Sequence, residues 1–296
     1  MRTVTVHVLL GFVAACASRG LTESMESTQE LWDQFKSKFN RNYSVEEEKI
    51  RFGNFLQTLK LIDVRNAAEI SMGGTSIHGI TKFADLSQKE FEQKFLSTLG
   101  SKPANIEKAP KRVYMGSDSN VDWTGVLTTP VKDQGECAAG WAFAATEQIE
   151  SDLILTAGVD TSFTLSTQQV TSCARGYGCG YGWTEYAFEY VREPGGIERE
   201  EDYPFTSGRN GRTGSCNATS SNYAATLIRY YQIEADINAS HYTLSIETNM
   251  AEYVKSTGPL AVCVFPDNWS TYTGGIMLNC GENEVNHCKQ DDFFPK

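Results

Sequence analysis

The sequence predicts an α+β protein in which a helix-rich first half precedes a strand-rich second half. Up to about residue 99, apolar residues recur every three or four positions, as they do on one side of a helix. From about residue 223, short apolar and aromatic runs alternate with turn residues, which is typical of strands. With 296 residues, 40% of them hydrophobic, the chain can bury a sizeable core in one or two domains.

The N-terminus has the pattern of a signal peptide over residues 1–17. Arg2 precedes an apolar stretch that ends in Ala15-Cys16-Ala17, a small-residue site that a signal peptidase can cut. The alternative is a membrane anchor, but the run is shorter than the roughly 20 apolar residues of a spanning helix. We therefore expect the secretory pathway, with an extracellular, lysosomal or vacuolar destination.

Four Asn-x-Ser/Thr triplets are compatible with that route, although such triplets often arise by chance: Asn42, Asn217, Asn238 and Asn268. The net charge of −11 argues against nucleic acid and anionic membranes as partners. Both bind proteins through basic patches rather than through an excess of carboxylates.

The region up to residue 99 contains three Ser-x-x-Glu capping boxes, which predict helices that start at Ser27, Ser44 and Ser87. After the second box, six residues step by three or four positions along one side of a long helix: Glu47, Arg51, Phe55, Thr58, Ile62 and Asn66. The polar stretch of residues 100–118 is interpreted as an exposed linker.

The second half begins with helices. Residues 140–157 predict an amphipathic helix that Gly158 ends, and residues 183–192 predict another before Pro194. Strands are predicted for three later segments, at 223–232, 260–265 and 274–278.

The first half resembles the propeptides of cathepsin L-like proteases. The six residues on the long helix match their Glu-Arg-Phe-Asn-Ile-Asn signature at five of six positions, with Thr58 in place of the first Asn. Residues 78–85, HGITKFAD, are similar to the Gly-x-Asn-x-Phe-x-Asp stretch that follows it. Gly79, Phe83 and Asp85 are retained there, and Thr81 stands at the Asn position.

From Val121 onward the chain resembles mature papain and the cathepsins, in the runs VDWTGVLTTPVKDQGECAAGWAF, LSTQQVTSC, GCGYG and GGIEREEDYPF. The chain is thus identified as a papain-like cysteine-protease homologue. The resemblance implies a two-lobe fold with a helical lobe and an incomplete β-barrel lobe. It implies a propeptide inhibitor domain at 18–117 and a peptidase domain at 118–296. The expected partners are its own propeptide and a polypeptide in the cleft, with no cofactor and no metal.

The family motif Gln-Gly-x-Cys-Gly-Ser-Cys-Trp appears here as QGECAAGW, which puts Gly140 at the position of the nucleophile. Peptide hydrolysis requires a thiolate, a histidine base and donors for the oxyanion. By resemblance, His287 is the base, and Gln134 and the backbone N–H of Gly140 are the donors. Loss of the nucleophile from a comparable triad costs about 10⁶ in rate, so we expect an inactive peptidase.

The resemblance also implies a cleft in which Gly182 pairs its backbone with the substrate. Trp183 and Val285 would line an apolar pocket. Alternatively, both could be ordinary residues of the hydrophobic core.

By resemblance, two disulfides join Cys137 to Cys179 and Cys173 to Cys216. Removal of Cys16 with the signal peptide then leaves three thiols, at Cys263, Cys280 and Cys288.

After His287 the family continues with an apolar strand, whereas residues 289–292 here are polar in succession. Since a central strand would bury their charges, we expect none there and a sheet that lacks its last elements. Truncation by splicing, a retained intron or a premature stop could explain this. A functional short protein whose sheet is completed by something else is the alternative.

Three functions remain possible on this basis. The first is a pseudopeptidase that retains the fold and the cleft without hydrolysis. The second is a truncated or degenerate copy of an active cysteine endopeptidase. The third is an inhibitor or peptide-binding protein whose propeptide acts on cathepsin L-like enzymes.

Overall fold

The computed structural model describes residues 25–96, 106–109, 120–193, 195–233, 242–280, 285–291 and 293–294. The predicted signal peptide, most of the predicted linker and the triplet at Asn238 lie outside them. Two compact units are present: Met1–Ser87 with Thr271–Asn279, and Gln88–Ser270 with Cys280–Lys296. Within the described residues, no helix has both the length and the apolar character that crossing a membrane requires.

The first unit contains two helices, α1 at Met25–Lys38 and α2 at Val45–Met72. Ser44 caps α2 because its hydroxyl accepts a 3.3 Å hydrogen bond from the N–H of Glu47, so the helix start predicted at Ser44 is confirmed. The carboxylate of Glu47 pairs with Arg51 instead, at 3.3 Å. Gly73 ends α2 in the left-handed conformation, with φ +76°. The start predicted at Ser27 is wrong, since that residue lies inside α1.

Aromatic side chains form the core of this unit between α1 and α2. Trp32 and Phe35 are buried with ring centroids 5.4 Å apart, and Phe55 of α2 packs against both. Along the predicted helical side, Phe55, Thr58 and Ile62 are all buried. The periodicity of α2 therefore identified its buried side.

Strand β1, Ile77–His78, pairs antiparallel with a strand at Tyr272–Gly274 that is β4 in chain order. Asn66 of α2 binds both backbone groups of His78, at 2.8 and 3.0 Å. The imidazole of His78 is buried, and its Nδ1 lies 2.9 Å from Oγ1 of Thr271. Arg65 donates to the same Oγ1 at 2.7 Å, so Thr271 is bound by α2 and by β1.

A buried carboxylate fixes the next part of the same segment. Glu69 of α2 accepts hydrogen bonds from the N–H groups of Leu278 and Asn279, at 3.1 and 2.9 Å. These bonds favour the charged form and hold the pKa of Glu69 below its ordinary value, although burial opposes them. Two side chains one helical turn apart, Arg65 and Glu69, thus hold residues 271–279 on α2.

We expect the first unit to lose stability as the pH falls below about 6.5, the ordinary pKa of histidine. Burial lowers the pKa of His78, Arg65 acts in the same direction, and Glu69 opposes them. His78 therefore binds a proton more readily in the unfolded chain than in the folded one. The free energy of unfolding falls by at most about 1.4 kcal/mol per pH unit between the ordinary pKa and the lowered one. At a pH above about 6.5, neutral His78 makes its full contribution to the free energy of unfolding.

Urea unfolding of the full chain at pH 7.5 and 5.0 measures this effect. His78→Gln keeps a polar side chain that does not titrate in this range, and it leaves His287 of the second unit in place. The variant should therefore lose less stability on acidification than the unsubstituted chain. Equal losses in the two proteins would contradict a role for His78.

The second unit has five helices among its described residues: α3 Gln88–Phe95, α4 Gly140–Ala157, α5 Thr167–Cys173, α6 Thr184–Arg192 and α7 Tyr242–Ser256. Helix α4 lies at the centre and packs against α5, α6 and two strands. Its predicted bounds are confirmed, including the end at Gly158 with φ +67°. Helix α6 agrees with its prediction to within one residue.

The strands of this unit form two antiparallel pairs in the part of the chain that is described. Strand β2, Val121–Asp122, pairs with β6, Phe293–Phe294, and β3, Leu260–Val264, pairs with β5, His287–Asp291. The predicted strand at 223–232 is wrong, because this segment has only isolated bridges. That at 274–278 is also wrong, since β4 ends at Gly274. Helix α7 was missed although Ile246, Met250 and Val254 step by four.

Strand β5 also corrects the expectation for residues 289–291, whereas Asp292 lies outside the described residues. It forms a strand despite their polarity, because side chains alternate between its two faces. Cys288 is buried, and Gln290 donates to the hydroxyl of Ser151 on α4 at 2.9 Å. The ammonium of Lys289 lies 5.9 Å from the ring centroid of Trp269. Gln290 and Lys289 therefore have partners, which removes, for these two residues, the burial cost that argued against a strand.

Candidate active site

The site is built around the first residue of α4, Gly140. The disulfide Cys137–Cys179 joins the loop before the helix to the GCGYG turn. The indole of Trp141 donates a 3.0 Å hydrogen bond to the carbonyl of Gly178 in the same turn. A Cβ at Gly182 would lie 2.3 Å from the Trp141 ring, so only glycine allows this approach.

Gly140 and His287 are far apart in the sequence and adjacent in the structure. An ideal Cβ on Gly140 would lie 2.5 Å from Cε1 of His287 and 2.7 Å from its Nδ1. It would also lie 2.7 Å from the carbonyl oxygen of Cys288. The imidazole and the backbone of β5 thus take up the space that a side chain at position 140 would need.

His287 itself lies in an apolar environment. Its Nδ1 is buried and has no hydrogen-bond partner among the residues that the structure describes. The ring packs edge-on against Trp269, with centroids 5.9 Å apart. Burial lowers the pKa of His287 to about 4, and Lys289 acts in the same direction. The imidazole is therefore neutral at pH 7 and can accept a proton, but Gly140 has none to give.

Gln134 already binds a peptide carbonyl. Its side-chain amide donates a 2.9 Å hydrogen bond to the backbone oxygen of Phe95, the last residue of α3. Lys94 forms an ion pair with Glu136 at 3.3 Å, and Gln88 donates to Asp267 at 2.6 Å. A segment of the chain itself thus occupies the predicted oxyanion donor.

The three predicted substrate-binding residues are distributed over two regions. Gly182 lies against Trp141, and Trp183 directly precedes α6. Val285 is 36% exposed and lies just before β5. Their binding roles remain predictions. Trp269 and Phe95 were not predicted as part of the site, because neither the ring contact nor the bond to a backbone carbonyl has a local sequence signal.

Three disulfides are present among the residues that the structure describes. Two join the pairs that the resemblance implies, Cys137–Cys179 and Cys173–Cys216. The third joins Cys263 to Cys288, so the expectation of three thiols is wrong. The register of β3 and β5 places these two cysteines directly opposite each other. Cys280 keeps its thiol and is exposed.

No three His, Cys, Asp or Glu residues within the described ranges are grouped so that they could hold a metal ion.

Known protein families and solved structures resemble this chain over most of its length. Residues 117–290 match the model of the papain family of cysteine proteases, and residues 32–91 match that of the cathepsin propeptide inhibitor domain. Cysteine proteinase 1 of Dictyostelium discoideum is 31% identical, over 97% of this chain and 83% of that protein. A cathepsin L-like proteinase of Phaedon cochleariae is 31% identical, over 93% of this chain and 82% of that protein.

Among solved structures, digestive procathepsin L2 proteinase from Tenebrio molitor larval midgut superposes with a TM-score of 0.75 at 27% identity. The match covers 91% of this chain and 86% of that one. The α+β, papain-like prediction is thereby confirmed. The chain belongs to the papain family of cysteine proteases and carries a cathepsin propeptide inhibitor domain.

Proposed function

We propose that this chain is a catalytically inactive, zymogen-like member of the papain family that holds a polypeptide without cutting it. The observation that supports this most directly is the contact between Gly140 and His287. At the start of α4, a neutral imidazole faces a glycine whose side-chain space it partly fills. The histidine that would serve a thiol therefore has no thiol beside it.

The chemistry follows from the groups present. In the reaction of this family a thiolate attacks the scissile carbonyl, and the histidine then protonates the leaving amine. With hydrogen at position 140 neither step can begin, and about 10⁶ in rate is lost. The bond from Gln134 to the carbonyl of Phe95 supports retention of peptide binding. Gly182, Trp183 and Val285 are proposed to line the same cleft.

The proposal includes the organisation expected from the sequence. Residues 1–17 are a signal peptide, 18–117 an inhibitory propeptide domain and 118–296 a peptidase domain. The three disulfides support a secretory route, because such bonds persist in oxidising compartments.

A thiol-directed peptidyl epoxide inhibitor tests the proposal. The full chain should show no peptide turnover after acid treatment, and no adduct on residues 134–141. Because Cys280 is exposed and could react nonspecifically, the Cys280→Ala variant is the better reagent. Without residues 1–17, which contain Cys16, this variant should take up no label at all. Turnover of a peptide substrate by this variant, or stoichiometric labelling of it, would refute the proposal.

A second candidate is inhibition of other cathepsin L-like enzymes by the propeptide domain. The match at residues 32–91 and the bond between Phe95 and Gln134 favour it. The full chain should then reduce turnover when added to an active cathepsin L-like enzyme. Unchanged turnover at a large excess of the chain would count against this function.

A further inference from the structure

Three of the four Asn-x-Ser/Thr triplets lie in described residues, and their surroundings differ. N-linked glycans are bulky and belong on surface loops of secreted proteins. Asn268 does not fit this requirement, since it is part of a 3₁₀ turn, Asp267–Thr271. The next residue, Trp269, packs against His287, and the hydroxyl residue of the triplet, Ser270, is buried.

Asn42 is exposed, but both residues that follow it are engaged in the fold. The ring of Tyr43 stacks on Trp32, and its hydroxyl is hydrogen-bonded to Asp85. The hydroxyl of Ser44 caps α2. A glycosyltransferase that bound this triplet would compete with the start of α2 for the side chains of Tyr43 and Ser44.

Asn217 lies in a segment at 212–219 that has no helix or strand. Asn217 and Thr219 are both exposed, and Thr219 has an extended backbone, with φ −121° and ψ 109°. The side chain of Asn217 makes no hydrogen bond within the described part of the chain, whereas its N–H is held by Tyr203 at 3.2 Å. The neighbouring Cys216 anchors the segment through its disulfide. On the other side of Asn217, the N–H of Thr219 donates a 2.7 Å hydrogen bond to Glu198. The side-chain amide of Asn217 is therefore accessible on a backbone that is fixed on both sides.

We propose that Asn217 is an N-glycosylation site of this protein and that Asn268 is not. The inference rests on the secretory route of the proposed function. The donor is an oligosaccharide linked to a polyisoprenyl diphosphate. Nδ2 of Asn217 forms a bond to the anomeric carbon of the first sugar, and the bond from that carbon to the diphosphate oxygen breaks. Nδ2 loses one proton to a base of the transferase, the polyisoprenyl diphosphate leaves, and nothing is oxidised or reduced.

The test uses the chain secreted from insect cells, with Asn42→Gln and Asn238→Gln as background, so that only Asn217 and Asn268 remain. One arm keeps residues 1–17, and the other replaces them with an established leader. We expect peptide-N-glycosidase to remove one glycan and to convert Asn217 to Asp. Asn217→Gln and Thr219→Ala should each abolish the glycan, whereas Thr219→Ser and Asn268→Gln should retain it.

Secreted, disulfide-bonded protein with an unmodified Asn217 peptide would overturn the inference, as would a glycan that survives Asn217→Gln. Failure of only the arm with residues 1–17 to be secreted would instead contradict the predicted signal peptide. The two failures are therefore distinguishable.

Discussion

Replacement of Gly140 by alanine is expected to lower the free energy of unfolding by about 1–3 kcal/mol, the usual cost of overpacking a core. At an unhindered helical position the same change stabilises by about 0.4–1 kcal/mol, because alanine has less conformational freedom to lose. Here the added Cβ would meet the His287 ring at 2.5 Å and a backbone oxygen of β5 at 2.7 Å. The overlap with the backbone makes the substitution destabilising, because moving a paired strand costs more free energy than moving a side chain.

Gly53→Ala is the matched control. Gly53 lies inside α2, and a Cβ built on it meets nothing within 4 Å. Urea unfolding should therefore show a gain for Gly53→Ala and a loss for Gly140→Ala. A Gly140→Ala variant as stable as the unsubstituted chain would mean that His287 does not rest against position 140.

The same overlap bears on any attempt to restore activity. Gly140→Cys supplies the missing sulfur, but its Cβ would lie only 2.5 Å from the imidazole of His287, which would have to act as its base. We expect this single substitution to leave the full chain without measurable peptidase turnover. Activity in Gly140→Cys alone would show that the contact between the histidine and the helix gives way easily.

Removal of the Cys263–Cys288 bridge is expected to cost about 3.5 kcal/mol in the chain-entropy model. The bridge closes a loop with a sequence separation of 25 residues and joins the paired strands β3 and β5, both of which pack against α4. The double variant Cys263→Ala/Cys288→Ala should unfold at a clearly lower urea concentration. Because β5 carries His287, the Trp269 fluorescence should also change.

Cys280→Ala provides the control, since Cys280 is exposed and in no disulfide. Its free energy of unfolding should change by no more than about 0.5 kcal/mol, as for other surface substitutions. Thiol titration of the native full chain without residues 1–17 should find one reactive thiol. Three reactive thiols, or equal stability of the double variant and the control, would contradict the third bridge.

The sequence by itself determined the elements whose signals are local. The N-cap at Ser44 and the steps of three or four positions along one side identified α2, and Gly158 marked the end of α4. Family motifs also identified Gly140 and His287 as the two positions to compare. These predictions depend on residues a few positions apart, where backbone geometry alone sets which side chains share a face.

Only the tertiary structure decided the features that depend on pairing between distant segments. The register of β3 and β5 joined Cys263 to Cys288, and β5 in turn brought His287 onto Gly140. The polar residues after His287 argued against a strand when taken alone, yet Gln290 finds its partner on α4. No local sequence pattern predicts such partners. A polar side chain is tolerated in the interior only where the complete fold supplies a hydrogen-bond partner for it.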